Sequence, residues 1–202
     1  MIEVLVAFAG ATFIVASRTS QALAAYVVLG ATAVALSARN VPHAGVGLLS
    51  LAIAVVLKLV VAPLAVVFLM RRHETANDLR SGLGLTARIV VAIGLAALAA
   101  STASMPALSG LPMSREIVFA VLCGAAMIVV HRNLMAGVIG LLALDGAVTL
   151  AGAEFSPSIP HLLDLFAAFD VLVVTVIAVA IVRELHRHYP NLDVRSLRKL
   201  RG

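Results

Sequence analysis

The chain has 202 residues, of which 62% are hydrophobic and 12% charged, with a mean hydropathy of +1.09 and a formal net charge of +5. Soluble domains run about 45–50% apolar and about 25% charged. The composition therefore excludes a small water-facing fold, a disordered chain and a disulfide scaffold, and leaves an all-α polytopic membrane protein. Seven apolar spans are expected, over 2–16, 21–37, 44–70, 87–105, 115–130, 134–153 and 161–182. The third is too long for a bilayer. At 1.5 Å per residue it runs ~40 Å against a hydrocarbon core of ~30 Å, so it must tilt, break or protrude. Pro63 offers a break, since it cannot donate to the carbonyl one turn back.

Polar punctuation separates the spans. Ser17-Arg18-Thr19-Ser20 closes the first and Arg39-Asn40-Val41-Pro42 the second. The longest polar connection runs from Arg71 to Arg80, and His131-Arg132-Asn133 parts the fifth span from the sixth. No connection is long enough for a soluble domain, so the chain reads as a single transmembrane domain over 1–202. Glu3 precedes the first span and Arg18 follows it, which is not the basic start of a signal peptide. With seven spans, one side carries 12 basic residues, including Arg18, Arg71, Arg72, Arg80, Arg88, Arg132 and the C-terminal cluster, while the other carries Arg39 and Arg115. Positive charge stays on the cytoplasmic side. The expected orientation is N-terminus out and C-terminus cytoplasmic, in a multi-pass protein embedded in the lipid bilayer. The basic residues form no single soluble patch, so they point to membrane orientation and not to nucleic acid.

Charges inside spans cost at least ~2.5–3.5 kcal/mol each at a helix centre, so each needs a reason. Three stand out: Lys58, Asp145 and Asp170. Lys58 is 13 residues before Arg71, Asp145 is 13 after Arg132, and Asp170 is 13 before Arg183. Each therefore lies ~20 Å along its helix from the cytoplasmic basic flank. Equal depth suits a proton path parallel to the membrane, because buried carboxylates and amines can change protonation state. It equally suits an ion-pair cluster that only holds helices in register, although such pairs add little net stability over apolar packing. Lys58 is expected to face one of the two acids. Asp164 and His161, near the outer end of the seventh span, are possible accessory groups.

No pattern implies a cofactor or a metal. The six histidines sit at span ends or in connections, the lone Cys123 reads as a buried inert thiol, and there is no glycine-rich phosphate loop. Two small-residue spacings, Ala136 with Gly140 and Ala92 with Ala96 and Ala100, would let helix backbones approach closely, or they simply reflect abundant alanine.

The segment His131-Arg132-Asn133-Leu134 through Ile139-Gly140-Leu141, together with the tail from Leu185 to the final Arg201-Gly202, resembles subunit K of the respiratory NADH:quinone oxidoreductases. That resemblance covers residues 131–202, a helix pair and cytoplasmic tail, and leaves 1–130 as four to five further helices. Over most of its length, including Lys58-Leu59-Val60-Val61-Ala62-Pro63-Leu64, Asp145-Gly146 and Asp170, the chain resembles membrane component E of hydrogenase-4 complexes, the formate hydrogenlyase class. The resemblance implies a non-catalytic subunit of an oxidoreductase complex in the bacterial inner membrane. It implies antiporter-like neighbours and a [NiFe]-hydrogenase-like module as partners, and lateral proton transfer through Lys58, Asp145 and Asp170. Subunit K carries glutamates where this chain has Leu142 and Val174; the acids here are displaced by three and four residues, roughly one turn on the same face. A scaffold role in the same complex and a stand-alone secondary transporter are the alternatives.

Overall fold

The computed structural model describes residues 1–40, 46–72, 79, 81–105, 113–131 and 133–155, and from the last part of the chain 169–170, 173–177, 180 and 184. The described residues are helical, joined by turns and by isolated bridges that include an antiparallel one between Ser81 and His131. In chain order they form α1 (Ile2–Val15), α2 (Thr19–Asn40), α3 (Val46–Val55), a π-helical segment (Val56–Val61), α4 (Ala62–Arg72), α5 (Leu85–Ala103), α6 (Ser114–Val130) and α7 (Leu134–Phe155). Among them, four helices are long and apolar enough to cross a membrane: Thr19–Arg39, Leu48–Arg71, Leu85–Thr102 and Leu134–Phe155. Ile2–Val15 is a shorter apolar helix, and α6 has 17 residues. Most of the expected seventh span, with His161 and Asp164, lies outside the described residues; those that are described within it are helical.

α7 is the central helix. It packs against α6 on one side and α2 on the other, while α1 bridges α2 and α6. Its buried residues spread round most of the helix, from Met135 and Ala136 through Leu142 and Ala143 to Leu150 and Ala153. That is why its sequence shows no amphipathic stripe: a helix surrounded by protein needs no polar face. The approach of α6 and α7 is close because Gly140 has no side chain. A Cβ there would stand 2.6 Å from Ile128 Cγ1 and 3.0 Å from the Gly124 carbonyl oxygen. The Ala136–Gly140 spacing thus marks a real helix contact. The Ala92–Ala96–Ala100 spacing does not: Ala92 and Ala99 are buried in α5, and Ala96 and Ala100 are exposed.

The long third span is one continuous helix carrying a π turn, and it does not break at Pro63. The amide of Ala62 bonds back five residues to the Leu57 carbonyl. A π bulge just before proline accommodates the donor that proline lacks. It also serves packing. Ser50, Ala54, Lys58, Ala62 and Val66 are all buried and recur every four residues. In a 3.6-residue helix such a stripe drifts about 40° per step. The wider π turn takes up part of that drift and keeps Lys58 on the inner face.

At one end of the bundle three connections meet. The Leu79 amide donates to the Ser17 carbonyl at 3.0 Å, and the Gly82 amide to the Val130 carbonyl at 3.3 Å. Gln21 Oε1 reaches back to accept from the Ser17 and Arg18 amides, at 3.1 and 3.3 Å, which closes the start of α2.

Candidate functional site: a buried charge pair between the π segment and α7

Lys58 is 1% exposed, on the inner face of the π turn. Its Nζ stands 3.1 Å from Asp145 Oδ2 on α7. The geometry is that of an ion pair without an aligned hydrogen bond, for Oδ2 accepts no well-oriented one among the described residues. The ammonium donates its hydrogen bond to Thr149 Oγ1 instead. Thr149 closes the loop by donating to the Asp145 carbonyl at 2.9 Å. Asp145 and Thr149 are four apart on one helix and so share a face. The site is therefore three side chains from two elements, with Asp145 11% exposed and Thr149 3%.

Asp170 lies on a described helical stretch, is exposed, and is within electrostatic range of Asp145. The structure thus brings Lys58 and Asp145 into contact and sets Asp170 near them without a direct bond. His161 and Asp164 lie outside the described residues. The two positions at which subunit K has glutamate are apolar here: Leu142 is fully buried, and Val174 is half-buried against the same cluster.

Two polar residues of this region escaped the reading of the sequence. Thr149 carried a usable signal, its spacing of four from Asp145. Tyr26, on α2, is 1% exposed, and its hydroxyl has no hydrogen-bond partner among the described residues. It also lies within electrostatic range of Asp145. α2 meets α7 nearby, where Leu29 packs against Gly146. One of only two tyrosines, placed mid-span, was the available clue.

A second polar cluster sits at the end of the bundle where the connections meet. Arg88 Nη1 donates to the Val15 and Ala16 carbonyls, at 3.0 and 2.9 Å. His131 Nε2 lies 3.1 Å from the Ala16 carbonyl and Nδ1 3.3 Å from that of Met127. Burial holds the His131 imidazole below its usual range, against the opposing pull of the two carbonyls and with a smaller push from Arg88. The sequence placed both residues at span ends but did not show them buried. Among the described residues no three His, Cys, Asp or Glu side chains gather as a metal would require.

Residues 112–202 match the family model of NADH-ubiquinone/plastoquinone oxidoreductase chain 4L. The match covers just under half of the chain and starts at α6, a helix earlier than the motifs alone suggest. It supports a membrane subunit of a complex-I-like assembly and takes in Asp145, Thr149 and Asp170, but not Lys58. No curated protein and no solved structure matches the chain.

Proposed function

We propose that this chain is a membrane-arm subunit of a hydrogenase-4-type, complex-I-like energy-converting complex, and that it passes protons laterally through Lys58, Asp145 and Asp170. The observation that carries the reading is the Lys58–Asp145 pair buried between two long apolar helices. Opposite charges at that depth are costly to place and are not needed to pack helices. An amine and a carboxylate in contact can exchange a proton with little motion. The neighbouring Asp170 charge biases that exchange and offers the next acceptor. Thr149 holds the ammonium at the carboxylate and so positions the pair. Redox chemistry belongs to other subunits in this reading. The test is Asp145→Asn and, separately, Asp170→Asn in the assembled complex, read by ion transfer into vesicles and by subunit content. The expected result is an assembled complex with ion transfer lowered about tenfold or more. Normal coupling in either variant removes that residue from the path, and loss of assembly that also persists when Lys58→Met is combined with Asp145→Leu favours a scaffold role.

The same reading places seven spans with the N-terminus out and the C-terminus cytoplasmic. It is supported by the gathering of three connections at one end, around Ser17, Leu79 to Gly82, and His131. These are the connections that alternate crossing would put on one side, and they carry most of the basic residues. A reporter active only in the cytoplasm should work when fused in the 71–88 connection and be silent in the 106–114 connection. Equal activity at both would overturn the topology.

A further inference from the structure

A groove of about 750 Å³ runs along the outside of α1 and α2 to the start of α5. Its upper walls are apolar, with Phe8 and Val28 at one end, and alanines, notably Ala24, form the recess between the two helices. Its lower end is polar, where Ser17, Gln21 and Arg88 line it. The polarity follows the helices: the apolar part flanks their middle turns, and the polar part lies where α1 ends and α2 begins. That is the profile of one acyl chain under one headgroup.

Arg88 makes the polar end more than a rim. It is 8% exposed, and its Nη1 is committed to the two carbonyls that end α1. Its Nε is buried with no hydrogen-bond partner among the described residues. A guanidinium bonded to neutral carbonyls keeps its full positive charge, and a buried N–H left without an acceptor is costly. Arg18, exposed and next in the chain to Ser17, adds a second positive charge near that end of α1. Among the described residues no acidic side chain lines the groove. We infer that this groove is a binding site for an anionic phospholipid, with an acyl chain along the alanine recess and the phosphate at Arg88. Charge complementarity selects the anionic headgroup over a zwitterionic one, whose own cation would face Arg88.

The chain contains no tryptophan, which provides a direct test. Phe8→Trp puts a single fluorophore on the groove wall, since Phe8 is 69% exposed there. The full chain carrying it is reconstituted in phosphatidylcholine vesicles, and quenching by chain-brominated phosphatidylglycerol is compared with quenching by chain-brominated phosphatidylcholine. The expected result is a preference of about threefold or more for the anionic lipid. Arg88→Gln in the same background should bring the ratio close to one. Ala24→Leu should do so as well; it fills the recess while leaving Arg88 and its carbonyl bonds in place, so it keeps the test valid if Arg88→Gln fails to fold. Three results would overturn the site: equal quenching by both lipids in the parent, a preference that survives Ala24→Leu, or no quenching by either lipid because a second copy of the chain covers the groove.

Discussion

Among the described residues, two buried polar clusters differ in what they satisfy. The one at the end of the bundle joins Arg88 and His131 to backbone carbonyls of Val15, Ala16 and Met127. The last carbonyls of a helix need donors from outside it, so this cluster answers a demand the fold itself creates. The cluster between the π segment and α7 answers no such demand. Helices of this composition pack through apolar and small residues, as α6 and α7 do around Gly140. Lys58 and Asp145 bring opposite charges to a depth where neither is needed for closure. The contrast separates polar groups that close helix ends from polar groups that pair between helices. The first kind is bonded to backbone and sits at helix ends. The second is bonded side chain to side chain and sits between helix middles.

The contrast can be broken most sharply at the charge pair. Lys58→Met alone should destabilise by about 3–5 kcal/mol, because it leaves a buried carboxylate without its partner. Lys58→Met combined with Asp145→Leu should recover most of that loss and still lack ion transfer. Denaturant titration of the purified chain in detergent gives the first quantity and vesicle assays on the complex give the second. If the double variant stays as unstable as the single one, the pair is structural and the contrast fails. At the bundle end, Arg88→Ala removes the donor to two α1 carbonyls and should lower stability by about 2–3 kcal/mol, since bonds to charged groups are worth about 1.5–3 kcal/mol each and water replaces them in part. It should leave the charge pair unchanged.

Smaller effects refine the same division. Tyr26→Phe removes a hydroxyl with no partner among the described residues, so stability should stay within about 1 kcal/mol or rise. A drop beyond about 2 kcal/mol in the same titration would show that the hydroxyl is bonded and belongs with the structural groups. For His131 the native state holds the imidazole below its ordinary value of about 6.5. The unfolded chain then takes up the proton first as pH falls. Stability is complete above about pH 6.5 and declines below it until the native ring also titrates. His131→Gln should flatten that decline by about 1 kcal/mol or less between pH 7 and pH 5, as read from melting curves at each pH.

How far the site could be read in advance follows from the kind of signal each residue leaves. Lys58, Asp145 and Asp170 are conspicuous because charge is rare in apolar spans, and counting from the basic flanks puts them at one depth. Depth is a one-dimensional quantity and a linear chain records it. Which helix faces which is not recorded, so the contact of Lys58 with Asp145, and the lack of a direct bond to Asp170, had to come from the packed structure. Thr149 and Tyr26 left fainter traces, because a threonine or tyrosine in a span costs little and so does not advertise a purpose.

By itself, the sequence determined the membrane class and the approximate limits of the long apolar helices, and it placed the three charges at an equal count of residues from the basic flanks. All of these depend on local composition and on distance along the chain. Only the tertiary structure decided that the third span holds a π turn in place of a break at Pro63. It also decided that Leu142 is core and Val174 half-buried against it where subunit K has acids, and that Arg88 is buried against the end of α1. Each of these depends on what lies across a helix interface. A proline removes one donor whatever surrounds it, but whether the backbone breaks or widens there is set by the neighbours that hold Lys58 and Ala62 inward.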